Sequence, residues 1–191
     1  ATSKFMSNLK LKETKIKNLN LIEHDPKKDE RGFLTRLFCQ KTLNHFVNGK
    51  NIKQINITLT KNKGTVRGLH FQYPPNSETK IITCLKGKVW DVAVDLRKGS
   101  PTFLNYHAEL LTDNNHKSYL IPDGFAHGFQ TLTSDCEMLY FHTEEYDKSV
   151  EGGINALDPM IKIEWPQPIT ERSERDRNHT LLDDNFKGIE L

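Results

Sequence analysis

KIITCLKGKVWDVAVDL, Lys80 to Leu96, is the longest regular signal in the chain. A Lys-Gly turn separates two stretches rich in β-branched and aromatic residues, the pattern of a β-hairpin. In the second arm Trp90, Val92, Val94 and Leu96 fall on one side and Asp91, Ala93 and Asp95 on the other, the two-residue period of a strand. That alternation predicts one face packed and one face polar. Working outward, short strands are expected at Lys53 to Leu59, Ser118 to Ile121, Gly128 to Leu132 and Glu137 to Thr143. KNKG, PDG and TSDC supply the turn chemistry between them. Many short strands at such spacing predict a mainly β sandwich or barrel. Helices are minor: one over Lys41 to Asn48 with Gly49 as its stop, and a weaker one near the C-terminus.

At 191 residues, 36% hydrophobic and 27% charged, the chain suits one domain over residues 1–191 rather than two. Twenty-seven basic against 25 acidic residues leave a net charge of +2 with no basic block, which argues against a nucleic-acid partner. An anionic ligand would have to be met by local Arg and Lys. Cys39, Cys84 and Cys136 are odd in number, far apart and without a CxxC pair, and are expected to be reduced, buried fillers in a cytoplasmic protein. No apolar run approaches the roughly 18 residues of a membrane span, and the N-terminus lacks a signal-peptide hydrophobic region. Met6 reads as the natural start, with residues 1–5 an addition ahead of it.

Four clusters carry chemistry. Arg67-Gly68-Leu69-His70-Phe71-Gln72 sets a cation and an imidazole three apart, just before Lys80. On a regular strand Arg67 and His70 point to opposite faces, so both reach one ligand only if Gly68 marks a bulge or bend. Ile121-Pro122-Asp123-Gly124-Phe125-Ala126-His127-Gly128-Phe129 fixes a second histidine after a turn. Tyr140 with Tyr146, and Ser173-Glu174-Arg175-Asp176-Arg177, complete the set. Taken singly each has a plainer reading. His70 and His127 fit hydrogen-bonded structural histidines, Tyr140 fits the core, and the charges at 171–177 fit a solvated face. The tail from Arg172 onward reads as a surface excursion or as a strap over a site.

VRGLHFQ (Val66 to Gln72), KGKVWDVAVDLRKGSPTF (Lys86 to Phe103), IPDGFAHGF, and Asp158-Pro159 followed by IEWP ending at Pro166 occur in this order. Together, over about Asp29 to Arg177, they resemble the dTDP-4-dehydrorhamnose 3,5-epimerase family. The resemblance implies a cupin jelly-roll and a homodimer. It also implies an isomerase acting without metal or redox cofactor on a nucleotide-linked 4-keto-6-deoxyhexose, in deoxysugar or O-antigen-type carbohydrate biosynthesis.

By motif it implies His70 as general base, Asp176 as the carboxylate that orients it, Tyr140 as the acid on the opposite face, and Lys80 as the cation near the sugar ketone. Arg67 would hold the diphosphate with Arg31 a second contact. Gln54, Asn56 and His127 would line the sugar or phosphate pocket, and Tyr146 would stack on the base; for Gln54, Asn56 and Tyr146 ordinary sheet and rim packing is an equal alternative. The roles are chemically coherent. Protons on C3 and C5 are acidified because their removal gives an enolate at C4, and histidine titrates in the range such a base needs.

This chain departs from the family at the nucleotide end. RGFF followed two residues later by Glu is here Arg31-Gly32-Phe33-Leu34-Thr35-Arg36, so Phe33 and Arg36 join Arg31 in an altered segment. The tryptophan two residues before the DP pair is Ala156, and the double tyrosine is Glu145-Tyr146. The carrier is therefore expected to be thymidine diphosphate or another pyrimidine such as cytidine, with inversion favoured at C3 over C5. Two rivals stand beside this. A metal cupin would recruit His70, Glu78 and His127, but its usual HxH pair is His70-Phe71-Gln72 here. A non-catalytic sugar-nucleotide binding module would not need the His, Asp and Tyr that are present.

Overall fold

The computed structural model describes residues 9–191, and the expected start at Met6 lies outside them. Six strands form one antiparallel sheet, in the spatial order Leu9–Glu13 (β1), Asn20–His24 (β2), Lys117–Ile121 (β10), Lys80–Lys86 (β7), Cys136–His142 (β12) and Gln54–Thr60 (β5). A second, five-stranded antiparallel sheet runs Glu151–Gly153 (β13), Val66–Gln72 (β6), Phe125–Thr131 (β11), Lys88–Asp95 (β8) and Tyr106–Thr112 (β9). Lys27–Asp29 (β3) and Gly32–Leu34 (β4) make a separate small hairpin. The chain passes repeatedly from one sheet to the other, as from β5 to β6 and from β11 to β12, which is the expected cupin jelly-roll.

Lys80 to Leu96 is not a hairpin. β7 pairs with β10 and β12, whereas β8 pairs with β11 and β9 in the other sheet. Lys86-Gly87 is the corner between layers. Gly87 has φ +85°, and a Cβ there would lie 2.7 Å from Thr133 Oγ1 and 2.8 Å from Cys136 Sγ. The local pattern resembles a hairpin because both arms are strands, but each gains two buried neighbours by splitting across the sandwich.

β8 also lacks the expected polar face. Val89 and Ala93 enter the core between the sheets with Ile82, Tyr119, Phe129 and Met138. Trp90, Val92, Val94 and Leu96 pack on the outer face, beneath Ile154, Ile161, Ile163 and Trp165 of the C-terminal stretch. Each fully buried aliphatic side chain here contributes roughly 1.5–3 kcal/mol. Asp91 and Asp95, on the inner side, are fully buried: Asp95 is held by Arg97, Ser100 and Thr102, whereas Asp91 meets His127 through Oδ1 and leaves Oδ2 without a partner.

The helix expected at Lys41 to Asn48 shrinks to one turn, Gln40–Leu43 (α1), followed by turns to Gly49, whose φ of +70° ends the segment as anticipated. Cys39 stands at the N-cap without a side-chain bond, and Thr42, Asn44, His45, Phe46 and Val47 are all weak helix formers. Cys39 is half-buried rather than buried; Cys84 and Cys136 are buried. Leu43 and Val47 still cover Ile22, Ile81 and Leu120 on the outer face of the six-stranded sheet.

Two features position the site. Between His127↔His70 and Phe129↔Arg67, two steps on β11 face three on β6, so β6 carries a bulge. Gly68 holds it at φ +117°, where a Cβ would stand 2.7 Å from Gly128 Cα and His127 O. Glu171 then pairs with Thr65 beside the start of β6, and Ser173 accepts the Asp176 N–H to begin the short helix Glu174–Arg177 (α2). The tail is thus a strap.

Candidate active site

A cavity of about 770 Å³ opens among β5, β7 and β12 of one sheet, β6 and β11 of the other, and the strap. The bulge turns Arg67 and His70 onto it together, as their joint use requires. His70 Nε2 lies 2.6 Å from Asp176 Oδ1, and the Gly68 N–H donates to Asp176 Oδ2 at 3.0 Å. Burial pushes the Asp176 carboxyl up, but the His70 hydrogen bond and charge and the Gly68 N–H outweigh it and hold the pKa at about 2. Because the folded value lies below the ordinary 3.8, the hydrogen-bonded carboxylate's contribution to stability is complete above 3.8 and is lost as pH falls toward 2. Asp176→Asn should therefore be less stable than the unaltered chain at neutral pH. The difference should shrink in denaturant titrations taken below pH 3.8; a constant difference would contradict the assignment.

Tyr140 reaches the cavity from β12, in the opposite sheet, and burial pushes its phenol above the usual range. Lys80 sits on β7, donating to His70 O at 3.4 Å with its ammonium 3.7 Å from Glu78 Oε1. Arg67 donates to Thr60 Oγ1 (2.9 Å) and Leu59 O (3.2 Å) at the rim. His127 is paired with Asp91 at 2.8 Å; burial pushes the histidine down and the aspartate up, drawing both toward their neutral forms. Asn56 and Tyr146 line the cavity, Tyr146 donating to Glu151 at 2.7 Å.

Four expected contacts are elsewhere. Gln54 is not on the cavity wall; it accepts the Tyr146 N–H at 3.0 Å and so acts on a wall residue. Arg31, Phe33 and Arg36 belong to or follow the β3–β4 hairpin, outside this cavity. Arg31 is bound to Asp29 at 2.6 Å and is 84% exposed. Their motif lies early in the sequence, where the hairpin stands apart from both sheets.

Other wall residues escaped the sequence reading. Glu78 appeared only as a rival metal ligand, yet it accepts from His142 Nδ1 at 3.1 Å, and the His142 ring lies parallel to Tyr140 at 6.0 Å. Tyr140 and His142 are two apart on one strand, so the strand period alone placed them on the same face. Arg172 and Arg175, taken singly as solvated charges, also line the cavity.

The family model described as dTDP-4-dehydrorhamnose 3,5-epimerase matches residues 13–184. The chain belongs to this family. It is 40% identical over 172 residues to the dTDP-4-dehydrorhamnose 3,5-epimerase of Salmonella typhimurium, covering 89% of this chain and 93% of that protein. A dTDP-4-dehydrorhamnose 3-epimerase of Streptomyces niveus is 35% identical over 131 residues, 69% of this chain and 63% of that one. Among solved structures, the 3,5-epimerase of Legionella pneumophila in complex with dTDP-4-keto-L-rhamnose superposes with a TM-score of 0.87. Its identity is 33%, over 95% of this chain and 98% of that one. Membership makes this chain an enzyme of the isomerase class with a cupin-type fold. No helix among the described residues is long and apolar enough to cross a membrane.

Proposed function

We propose that this epimerase takes a dTDP- or CDP-linked 4-keto-6-deoxyhexose and inverts C3, with inversion at C5 slower or absent. The observation that carries the reading is a cavity in which a histidine of one sheet, paired with an aspartate of the strap, faces a half-buried tyrosine of the other sheet. Asp176 engages Nε2 of His70 and so selects the tautomer whose Nδ1 lone pair removes the proton beside the ketone. Asp176 then stabilises the imidazolium. The enolate oxygen at C4 is met by Lys80; one preorganised donor of this kind is worth about 3–4 kcal/mol, less here because Glu78 offsets part of the charge. Tyr140, projecting from the opposite sheet, returns a proton to the other face. Its raised pKa keeps it in the protonated form. Arg67, Arg172 and Arg175 at the wall receive the diphosphate. Turnover of the dTDP- and CDP-linked 4-keto sugars tests the proposal, and failure to convert either would contradict it.

Activity is expected to survive exhaustive chelation. Gln72 is fully engaged by Asn76 O, Glu145 O and the Asp147 N–H, and His70, Glu78 and His127 each hold a partner of their own: Asp176, His142 and Asp91. Loss of activity in EDTA, restored by one metal, would favour the metal-cupin alternative.

A homodimer is our reading of β5, an edge strand whose Ile55, Ile57 and Leu59 are 57%, 62% and 49% exposed in a row. In such a dimer Arg31, Phe33 and Arg36 would serve the cavity of the second copy. Light scattering should give twice the mass of one chain, and Arg31→Ala should raise KM with kcat unchanged. A monomer with full activity would rule this out.

A further inference from the structure

His179 has no part in the proposed chemistry, yet it is built into the wall of the dyad. It lies one turn beyond Asp176, with its ring against Gly153, where an added Cβ would overlap the imidazole. Its Nε2 is buried and without a hydrogen-bond partner, although Asp176 Oδ1 is only 3.3 Å away. A buried polar atom without an aligned partner is unfavourable, so stability does not explain the arrangement. One ligand atom from each of His70, Asp176 and His179 falls within 4.8 Å of the others. Nitrogen and oxygen ligands about 2.1 Å from a tetrahedral Zn²⁺ stand about 3.4 Å apart, so the 3.3 Å pair is already at this spacing and the 2.6 Å pair needs a small widening.

We propose that His70, Asp176 and His179 form a binding site for a divalent transition ion of the zinc class, and that its occupation switches the epimerase off. Two imidazoles and one carboxylate select Zn²⁺ or Co²⁺ over Mg²⁺ and Ca²⁺. The ion takes the place on Nε2 of the proton shared by His70 and Asp176; that proton moves to Nδ1, and the lone pair that serves as base is lost. Arg175, whose Nη2 is 3.4 Å from His70 Nε2, opposes the ion; its guanidinium is exposed and tied to Glu151 at 3.0 Å, which keeps the site weak enough to be reversible. The inhibitory part rests on the function proposed above, whereas ion binding does not.

The test separates the two. Calorimetry with Zn²⁺ and absorption spectroscopy with Co²⁺, on the full chain without substrate, should give one saturable ion per chain and no response to Mg²⁺. His179→Asn and His179→Gln, checked for fold by circular dichroism, should weaken it by at least about 10- to 100-fold, the loss typical of removing even an outer-sphere partner. With substrate, Zn²⁺ should inhibit the unaltered chain reversibly with EDTA, while both variants turn over normally in its presence. Absence of saturable binding, or equal binding in both variants, would overturn the site. Binding that depends on His179 in a chain with no metal-free epimerase activity would leave the site standing and sink the function.

Discussion

His70→Ala should lose hydrogen exchange at every sugar carbon while keeping its fold and its affinity for the nucleotide. A positioned general base supplies about 100- to 10,000-fold, and the other histidines nearby are not placed to replace it: His127 is held by Asp91, His142 by Glu78, and His179 is not on the cavity wall. The fold should survive because Asp176 keeps its bond from the Gly68 N–H and because the His70 side chain is 28% exposed and outside the packed clusters. Arg67 and Arg172 remain to hold the diphosphate. Exchange near the unaltered rate, followed by NMR in deuterated water, would remove His70 from the role of base.

Tyr140→Phe should separate two events that are coupled in the unaltered enzyme. His70 and its aspartate stay in place, so proton removal and return on the same face continue, and deuterium still enters the sugar. Inversion needs a donor on the other face, and Tyr140 is the group that β12 presents there. Exchange should therefore persist while the inverted product falls by about 100-fold or more. Because the ring packs beside the core between the sheets, phenylalanine preserves its contacts and the variant should fold. Parallel loss of exchange and inversion would make Tyr140 a binding or structural residue.

Strand periodicity located β5, β10, β11 and β12 to within a few residues, because alternation reports which side chains leave a strand together. It could not say which strands pair. Lys80 to Leu96 reads locally as a hairpin, and only the demand of both arms for two neighbours sends them to different sheets. The same limit hid the burial of Asp91, whose partner His127 is 36 residues away. The His70–Asp176 pair spans 106 residues, so composition and period could not join them, and it entered through family resemblance alone. Arg67 and His70 were legible together on one condition, a bulge at Gly68, and φ +117° there meets it. His142 and Glu78 were missed, although His142 sits two residues from Tyr140. His179 was missed although it lies three residues beyond Asp176, one turn on.

In the proposed chemistry one base on β6 and one acid on β12 act on carbons flanking a ketone. It is tested most directly by incubating the unaltered, chelated chain with dTDP- and CDP-linked 4-keto-6-deoxyglucose in deuterated water and following C3 and C5 by NMR. Deuterium is expected at C3 with inversion there, from at least one carrier, with slower or no inversion at C5. Absence of exchange at both carbons with both carriers would contradict it.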